Sequence, residues 1–276
     1  MSLKLMYITN NPEVALIAEH AGVDRIFVDL EYIGKADRQG GMDTVQSDHT
    51  LQDVKRISQV LSKADLLVRV NPIHEATEEY CSSKEEIETA ITNGADIIML
   101  PFFKTVEEVE FFINQVAGRC RTMLLLETPE AVECLDGILA LKGIDEIHIG
   151  INDLSLGYKR KFMFELLADG MVEALLARIA EKNIPYGFGG VASLHKGLLP
   201  GNMVIKEHYR LGSGTVILSR SFCNISKMSD MEKVKEVFEV GVSDIRNYEK
   251  ECENATDFEE NKAAVRVAVA KIVEEL

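Results

Sequence analysis

The sequence predicts an α/β fold, a single-domain (β/α)8 TIM barrel with an extra C-terminal helix, on three observations. Short apolar runs alternate with amphipathic helical segments along nearly the whole chain, the pattern of a parallel sheet crossed by helices. Eight such runs are countable: LKLMYIT, RIFVDL, LLVRVN, DIIMLP, MLLLE, EIHIGI, IPYGFGG and TVILS. They lie in one 276-residue chain with no Gly/Ser linker or composition break, a length that one barrel fills. The count favours a closed barrel over a doubly wound open sheet. The expected division is a catalytic barrel over residues 1–250 and a helical extension over 251–276.

Each element has a local reason. After LKLMYIT, Asn10 or Asn11 can cap a helix that has Pro12 in its first turn and Gly22 at its end. DRIFVDLE is a short apolar run ending in Asp29 and Glu31, and a long polar loop, YIGKADRQGGMDTVQSDHT, leads to a helix around Leu51–Ser62. LLVRVNP carries one charge, Arg69, inside an apolar strand. A helix around Ser83–Asn93 leads to ADIIMLP, and TVEEVEFFINQVAG follows as an amphipathic helix. The stretch from Met123 to Leu156 reads strand, helix, strand, with one strand stopping on Glu127 and the next on Asp153. A helix around Phe162–Lys182 precedes IPYGFGGV, one near Met203–Tyr209 precedes TVILSRS, and acidic amphipathic helices from Asp230 close the chain. The last of these needs a surface for its apolar positions, on its own barrel or on a neighbouring subunit.

Composition excludes some function classes. With 46% hydrophobic residues the chain suits an ordinary globular core. A formal charge of −15 argues against a nucleic-acid partner, because such binding rests on clustered Lys and Arg. No apolar run approaches the roughly 20 residues of a membrane span, and MSLKLMYITNN reads as a first strand rather than a leader. Cys81, Cys120, Cys134, Cys223 and Cys252 are scattered without metal spacing. They suit inert thiols in a reduced, cytoplasmic setting.

Active sites of parallel barrels sit at the C-terminal ends of the strands, so the polar residues there are the candidates. They are Asp29 and Glu31 from strand two, Arg69 from strand three, Glu127 from strand five and Asn152 with Asp153 from strand six. Gly187, Gly189 and Gly190 of strand seven and Ser219 with Arg220 of strand eight complete the rim. Four acids facing one arginine repel one another unless a cation sits among them. Two carboxylates from adjacent parallel strands suit a hard divalent ion, with waters and substrate oxygens filling the remaining positions.

The run LLLETPEA followed by GIDEIHIGINDLSLG, with FVDLE, LVRVNP and GADIIMLPFFKTVEEVEFF before it, resembles the HpcH/HpaI aldolase and citrate lyase family over roughly Asp24 to Val191. The resemblance implies a phosphoenolpyruvate/pyruvate-type barrel, with Glu127 and Asp153 binding Mg²⁺ or a similar ion (Mn²⁺ or Co²⁺) and Arg69 beside the keto or enolate oxygen. Asn152 and Asp153 would take the substrate carboxylate through backbone N–H groups, with Asp29 and Glu31 ordering water around the ion. The implied reaction is carbon–carbon cleavage or formation of a 2-oxo acid through a pyruvate-type enolate, with an aldehyde or an acyl-CoA as the other partner, in a homo-oligomer.

One position departs from the pattern of both branches of the family. The aldolase branch places His after the strand-two acid and the citrate-lyase branch reads DLED, whereas this chain reads DLEY, with Tyr32 at that position. The general base is then His49 in the following loop, Tyr32, or an ion-bound hydroxide. Lys35 and Arg38 in that loop are candidates for a second substrate carboxylate or phosphate. Each assignment has a plainer counterpart: Glu127 and Asp153 as helix N-caps, Arg69 in a structural ion pair, and His49 as a loop histidine. Lys35 and Arg38 have theirs in solvated loop charges. Three functions therefore stand: a metal-dependent aldolase, a citrate lyase β or malyl-CoA lyase-like enzyme, and a barrel that binds a metal and an oxo acid without turnover.

Overall fold

The computed structural model describes residues 2–34, 48–225, 228 and 230–276. The eight runs form a closed parallel barrel in sequence order. Its strands are β1 (Lys4–Ile8), β2 (Arg25–Asp29), β3 (Asp65–Arg69), β4 (Ile97–Leu100), β5 (Arg121–Leu126), β6 (Glu146–Ile149), β7 (Tyr186–Val191) and β8 (Thr215–Leu218). Closure is made by β8 lying parallel on β1, with Tyr7 opposite Leu218. The strands are shorter than the apolar runs because the last residues of several runs lie beyond the ladder. Asn71, Glu127 and Ser219 are among them, and they form the mouth.

The helices start where the capping chemistry predicts. Asn11 caps α1 (Pro12–Ala21) by accepting from the Glu13 and Val14 N–H groups, and Gly22 ends it in the left-handed region at φ 97°. Reciprocal capping boxes open α2 (Leu51–Ser58) with Thr50 and Asp53, α3 (Ser83–Thr92) with Ser82 and Glu85, and α4 (Val106–Val116) with Thr105 and Glu108. Two short helices, α5 (Pro129–Glu133) and α6 (Leu135–Leu139), connect β5 to β6.

The next crossover differs from the single helix expected around Phe162–Lys182. It consists of α7 (Ile151–Gly157), α8 (Glu165–Ala168) and α9 (Met171–Ala180). Gly170, at φ 92°, makes the break between α8 and α9, where a residue with a Cβ is disfavoured. The chain ends with α10 (Gly201–Arg210), α11 (Met231–Glu253) and α12 (Phe258–Glu275). The apolar positions of α12 find their cover on this chain's own barrel. Val265 and Val269 are buried, Lys262 reaches Glu173 at 2.9 Å, and Arg266 Nε donates to the Ala168 carbonyl at 2.9 Å.

Strand side chains alternate between two cores. Met6, Phe27, Leu67, Ile97, Met99, Met123 and Leu125 fill the barrel interior, while their neighbours Ile26, Val28, Leu66, Val68, Ile98 and Leu124 pack outward under the helices. His148 on β6 is fully buried: Nε2 donates to the Gly189 carbonyl at 3.0 Å and Nδ1 lies 3.2 Å from Thr215 Oγ1. Burial pushes its pKa down to about 4, so the ring is neutral packing at pH 7.

The floor of the barrel is closed by charges from the first residues of four strands. Arg25 donates from Nη1 and Nη2 to Glu146 at 2.7 and 2.6 Å, and Arg121 reaches Asp65 at 2.6 Å. Arg25 has no exposure and Glu146 very little. Removing one partner leaves the other charge buried and alone, so Arg25→Ala is expected to lower unfolding free energy by about 3–5 kcal/mol in urea titrations. The paired replacement Arg25→Met with Glu146→Leu is expected to cost much less.

Candidate active site

The mouth is built on one arginine. β2 and β3 pair with Asp29 opposite Arg69, which sets their side chains next to one another at the strand ends. Arg69 donates from Nε to Asp29 Oδ1 and from Nη2 to Asp29 Oδ2, both at 2.8 Å, a two-pronged pairing. Its Nη1 lies 3.3 Å from Glu31 Oε2, and its guanidinium carbon lies 5.4 Å from the Phe27 ring centroid. Burial works against the charged form of Arg69, but Asp29 and Glu31 override it and raise the guanidinium above its ordinary range. Of its five N–H hydrogens, one on Nε and one on Nη2 are taken by Asp29, while Nη1 faces Glu31 at ion-pair distance. The structural ion pair weighed for Arg69 is thus real. It fixes the fork in place at the mouth without exhausting it.

Glu127 follows the last residue of β5, near this pair, and is 3% exposed. Its Oε1 accepts the Phe102 backbone N–H at 3.0 Å. Phe102 takes φ 48° to present that group, a conformation an aromatic residue adopts only under constraint. A Cβ on Gly150 would fall 2.6 Å from Glu127 Oε2, so only glycine at the end of β6 leaves room for the carboxylate. Burial, then the nearby Glu31 and Asp153, hold the Glu127 carboxyl well above the usual carboxylate range, against the pull of Arg69 and the Phe102 N–H. Asp153 stands in the first turn of α7, whose N-cap is Gly150, and the helix after Glu127 is capped by Thr128. Neither acid serves as an N-cap.

The other candidates fall around this centre. His49 precedes α2, and its Nδ1 accepts the Asp29 backbone N–H at 3.0 Å. A neutral ring held this way carries its hydrogen on Nε2 and donates there; acting as a base at Nε2 requires the opposite tautomer. Tyr32 packs against the loop after β3: its ring lies 5.0 Å from the Tyr80 ring. Burial and then Glu86 raise its phenol, which keeps it protonated. Asn152 is exposed on the first turn of α7, and its carbonyl accepts from Ser155 Oγ at 2.6 Å. Lys35 and Arg38 lie outside the described residues. Asn71, Phe102 and Gly150 were not singled out from the sequence. Only the glycine between IHI and IND offers a signal, that of close backbone approach.

Among the described residues four carboxyl groups, those of Asp29, Glu31, Glu127 and Asp153, gather around the Arg69 guanidinium, and hard oxygen donors of this kind fit a divalent cation. Among the described residues no three His, Cys, Asp or Glu side chains group to hold a metal. An ion would rest on Glu127 and Asp153, with water and substrate completing its shell.

Sequence comparison agrees with this geometry, since residues 4–184 match HpcH/HpaI aldolase/citrate lyase. The chain belongs to that family. No curated protein matches it in sequence. Among solved structures, the HpcH/HpaI aldolase from Desulfitobacterium hafniense DCB-2 is 16% identical with a TM-score of 0.62, over 89% of this chain and 93% of that one. An HpcH/HpaI aldolase/citrate lyase family protein from Burkholderia cenocepacia J2315 is 12% identical with a TM-score of 0.61, over 85% and 95%. Citrate synthase SbnG is 14% identical with a TM-score of 0.58, over 90% and 95%. At such identities the likeness shows the barrel alone. In this HpcH/HpaI family member Tyr32 follows the strand-two acid Glu31, and its ring packs on Tyr80.

The raised Glu127 carboxyl has a consequence for stability. A folded-state value above the ordinary 4.5 means the native state binds a proton that the unfolded chain releases, so this group costs stability as pH rises through that window. Glu127→Gln is therefore expected to raise the thermal midpoint of metal-free protein at pH 7, with the gain vanishing below pH 4.5. Scanning calorimetry at both pH values checks it.

Proposed function

We propose that this protein is a metal-dependent carbon–carbon lyase that cleaves or forms a 2-oxo acid through a pyruvate-type enolate. The observation that carries the reading is the buried Glu127 carboxylate, raised by burial and by Glu31 and Asp153, with Arg69 the guanidinium among them. Family membership supports the reaction class. A bound divalent ion, Mg²⁺ or equally Mn²⁺ or Co²⁺, supplies Lewis acidity toward the keto oxygen.

The chain's own residues account for the rest. In retro-aldol cleavage of a 4-hydroxy-2-oxo acid, the C4 hydroxyl gives its proton to solvent water at the open mouth, the C3–C4 bond breaks and the aldehyde leaves. The electron pair moves to the C2 oxygen, and a proton returned from solvent to C3 then gives pyruvate. Negative charge grows on the C2 oxygen during cleavage, and Arg69 stabilises it more in the transition state than in the ground state. Because Asp29 grips the guanidinium at two points, the fork needs no reorganisation as that charge develops. His49, whose Nδ1 accepts the Asp29 N–H, offers a hydrogen bond from Nε2 at the mouth. Backbone N–H groups at the start of α7 take the substrate carboxylate. The dry barrel interior below, Phe27 and Met99 among its side chains, keeps water from beneath the reacting carbons.

The test is release of pyruvate from 4-hydroxy-2-oxo acids, and exchange of pyruvate methyl protons for deuterium, after chelation and after restoring Mg²⁺ or Mn²⁺. The expected result is turnover only with the ion, loss of it in Glu127→Gln, and a fall of about 10²–10³-fold in kcat for Arg69→Lys. Metal-independent turnover, or full activity in Glu127→Gln, overturns the reading. The Asp29-Leu30-Glu31 run shared with the citrate-lyase branch favours a second one, and turnover confined to thioesters establishes it.

A further inference from the structure

Asn71 lies just beyond β3, two residues after Arg69, and is 2% exposed. Its amide is used at both ends. Oδ1 accepts the backbone N–H groups of Tyr32 and Ile33, both at 3.0 Å. Nδ2 donates to Glu86 Oε1 at 2.7 Å, while the Asn71 backbone N–H donates to Glu86 Oε2 at 3.1 Å. The orientation is forced. A flipped amide would set its NH₂ against two N–H donors and its oxygen against a carboxylate. Glu86 belongs to α3 and is 5% exposed. Burial pushes its carboxyl up, and the two bonds from Asn71 and the charge of His74 draw it back.

The backbone that Asn71 grips follows directly on Glu31. The β3 end therefore clamps the segment after β2 twice, with Arg69 on its side chains and Asn71 on its main chain. Glu31 is otherwise tied by its N–H to Asp29 Oδ1 at 3.2 Å and by Arg69 Nη1 at 3.3 Å. The first of these lies within the segment. Among the described residues Arg69 holds the segment from β3, through Nη1 and through its carbonyl, which accepts the Leu30 N–H at 2.9 Å, and the Asn71 clamp holds its next two residues with a further anchor on a helix.

We propose that Asn71, oriented by Glu86, is a positioning residue for the Glu31–Arg69 pair: it fixes the Tyr32–Ile33 backbone so that the guanidinium keeps its remaining hydrogens turned to the substrate. The catalytic half of this statement rests on the lyase reading, and the structural half does not.

Exchanging the two partners tests it. In Asn71→Asp two carboxylates face each other across the 2.7 Å contact. In Glu86→Gln an NH₂ faces an N–H donor. The double variant restores every bond. Its new amide at position 86 donates to the new carboxylate at position 71 and still accepts the backbone N–H there, while that carboxylate still accepts from Tyr32 and Ile33. Two readouts are taken on the full-length protein: hydrogen exchange of the amides in peptide 30–34 by mass spectrometry, and kcat and KM for pyruvate methyl-proton exchange. Each single variant is expected to speed exchange of the Tyr32 and Ile33 amides about tenfold and to lower kcat about tenfold. The double variant is expected to restore both, which also separates positioning from loss of fold. Unchanged protection in the single variants overturns the proposal, as does a double variant that regains protection without regaining kcat. A wild-type protein that exchanges no methyl protons rejects the lyase reading alone, and the amide readout then decides the clamp.

Discussion

The guanidinium of Arg69 lies between two carboxylates of β2, and the rest of the mouth depends on that pairing. Asp29 and Glu31 are almost wholly buried, a state that acids reach only with a partner that stays charged. Arg69 meets the condition because no accessible pH removes its proton. Without it, two buried charges would face a third on Glu127, and the strand ends would have to separate or take up protons. The arginine at once makes a cluster of acids tolerable inside a protein and aims a fixed positive charge at whatever binds there.

The position of Glu127 follows from the same balance. Its carboxylate is accommodated by steric permission at Gly150 and by an N–H that Phe102 offers at the cost of a left-handed backbone. Neither supplies a full counter-charge. A structure that spends conformational strain to hold an acid in a dry place, and leaves that acid raised above its normal range, resembles sites that complete their charge with a ligand. The floor of the barrel shows the contrast. There Arg25 and Arg121 face Glu146 and Asp65 in equal number, and the charges are settled within the protein.

Much of the architecture was legible because parallel strands covered on both faces read as apolar runs, and capping pairs such as Thr50 with Asp53 mark where helices begin. Arg69 stood out for a related reason: a charge within an apolar strand must meet something. Glu127 and Asp29 stood out because they end such strands. What stayed hidden depends on direction rather than on residue type. The left-handed Phe102 looks like any aromatic after a proline. The break at Asp169–Gly170 interrupts a segment whose apolar spacing continues across it. Tyr32 follows Glu31 in sequence, and neither its ring contact with Tyr80 nor the hold of Asn71 on its backbone is written in that neighbourhood. The tautomer of His49 is set by a main-chain amide, and no pattern of side chains reveals that.

On the lyase reading, the acids at the mouth would also govern the order in which molecules arrive. Among the described residues Asp29, Glu31, Glu127 and Asp153 gather around the Arg69 guanidinium, so an oxo acid approaching ahead of a cation would meet repulsion. With a cation in place the same opening would attract it. Encounter would then be sequential, the inorganic component first and the organic anion second.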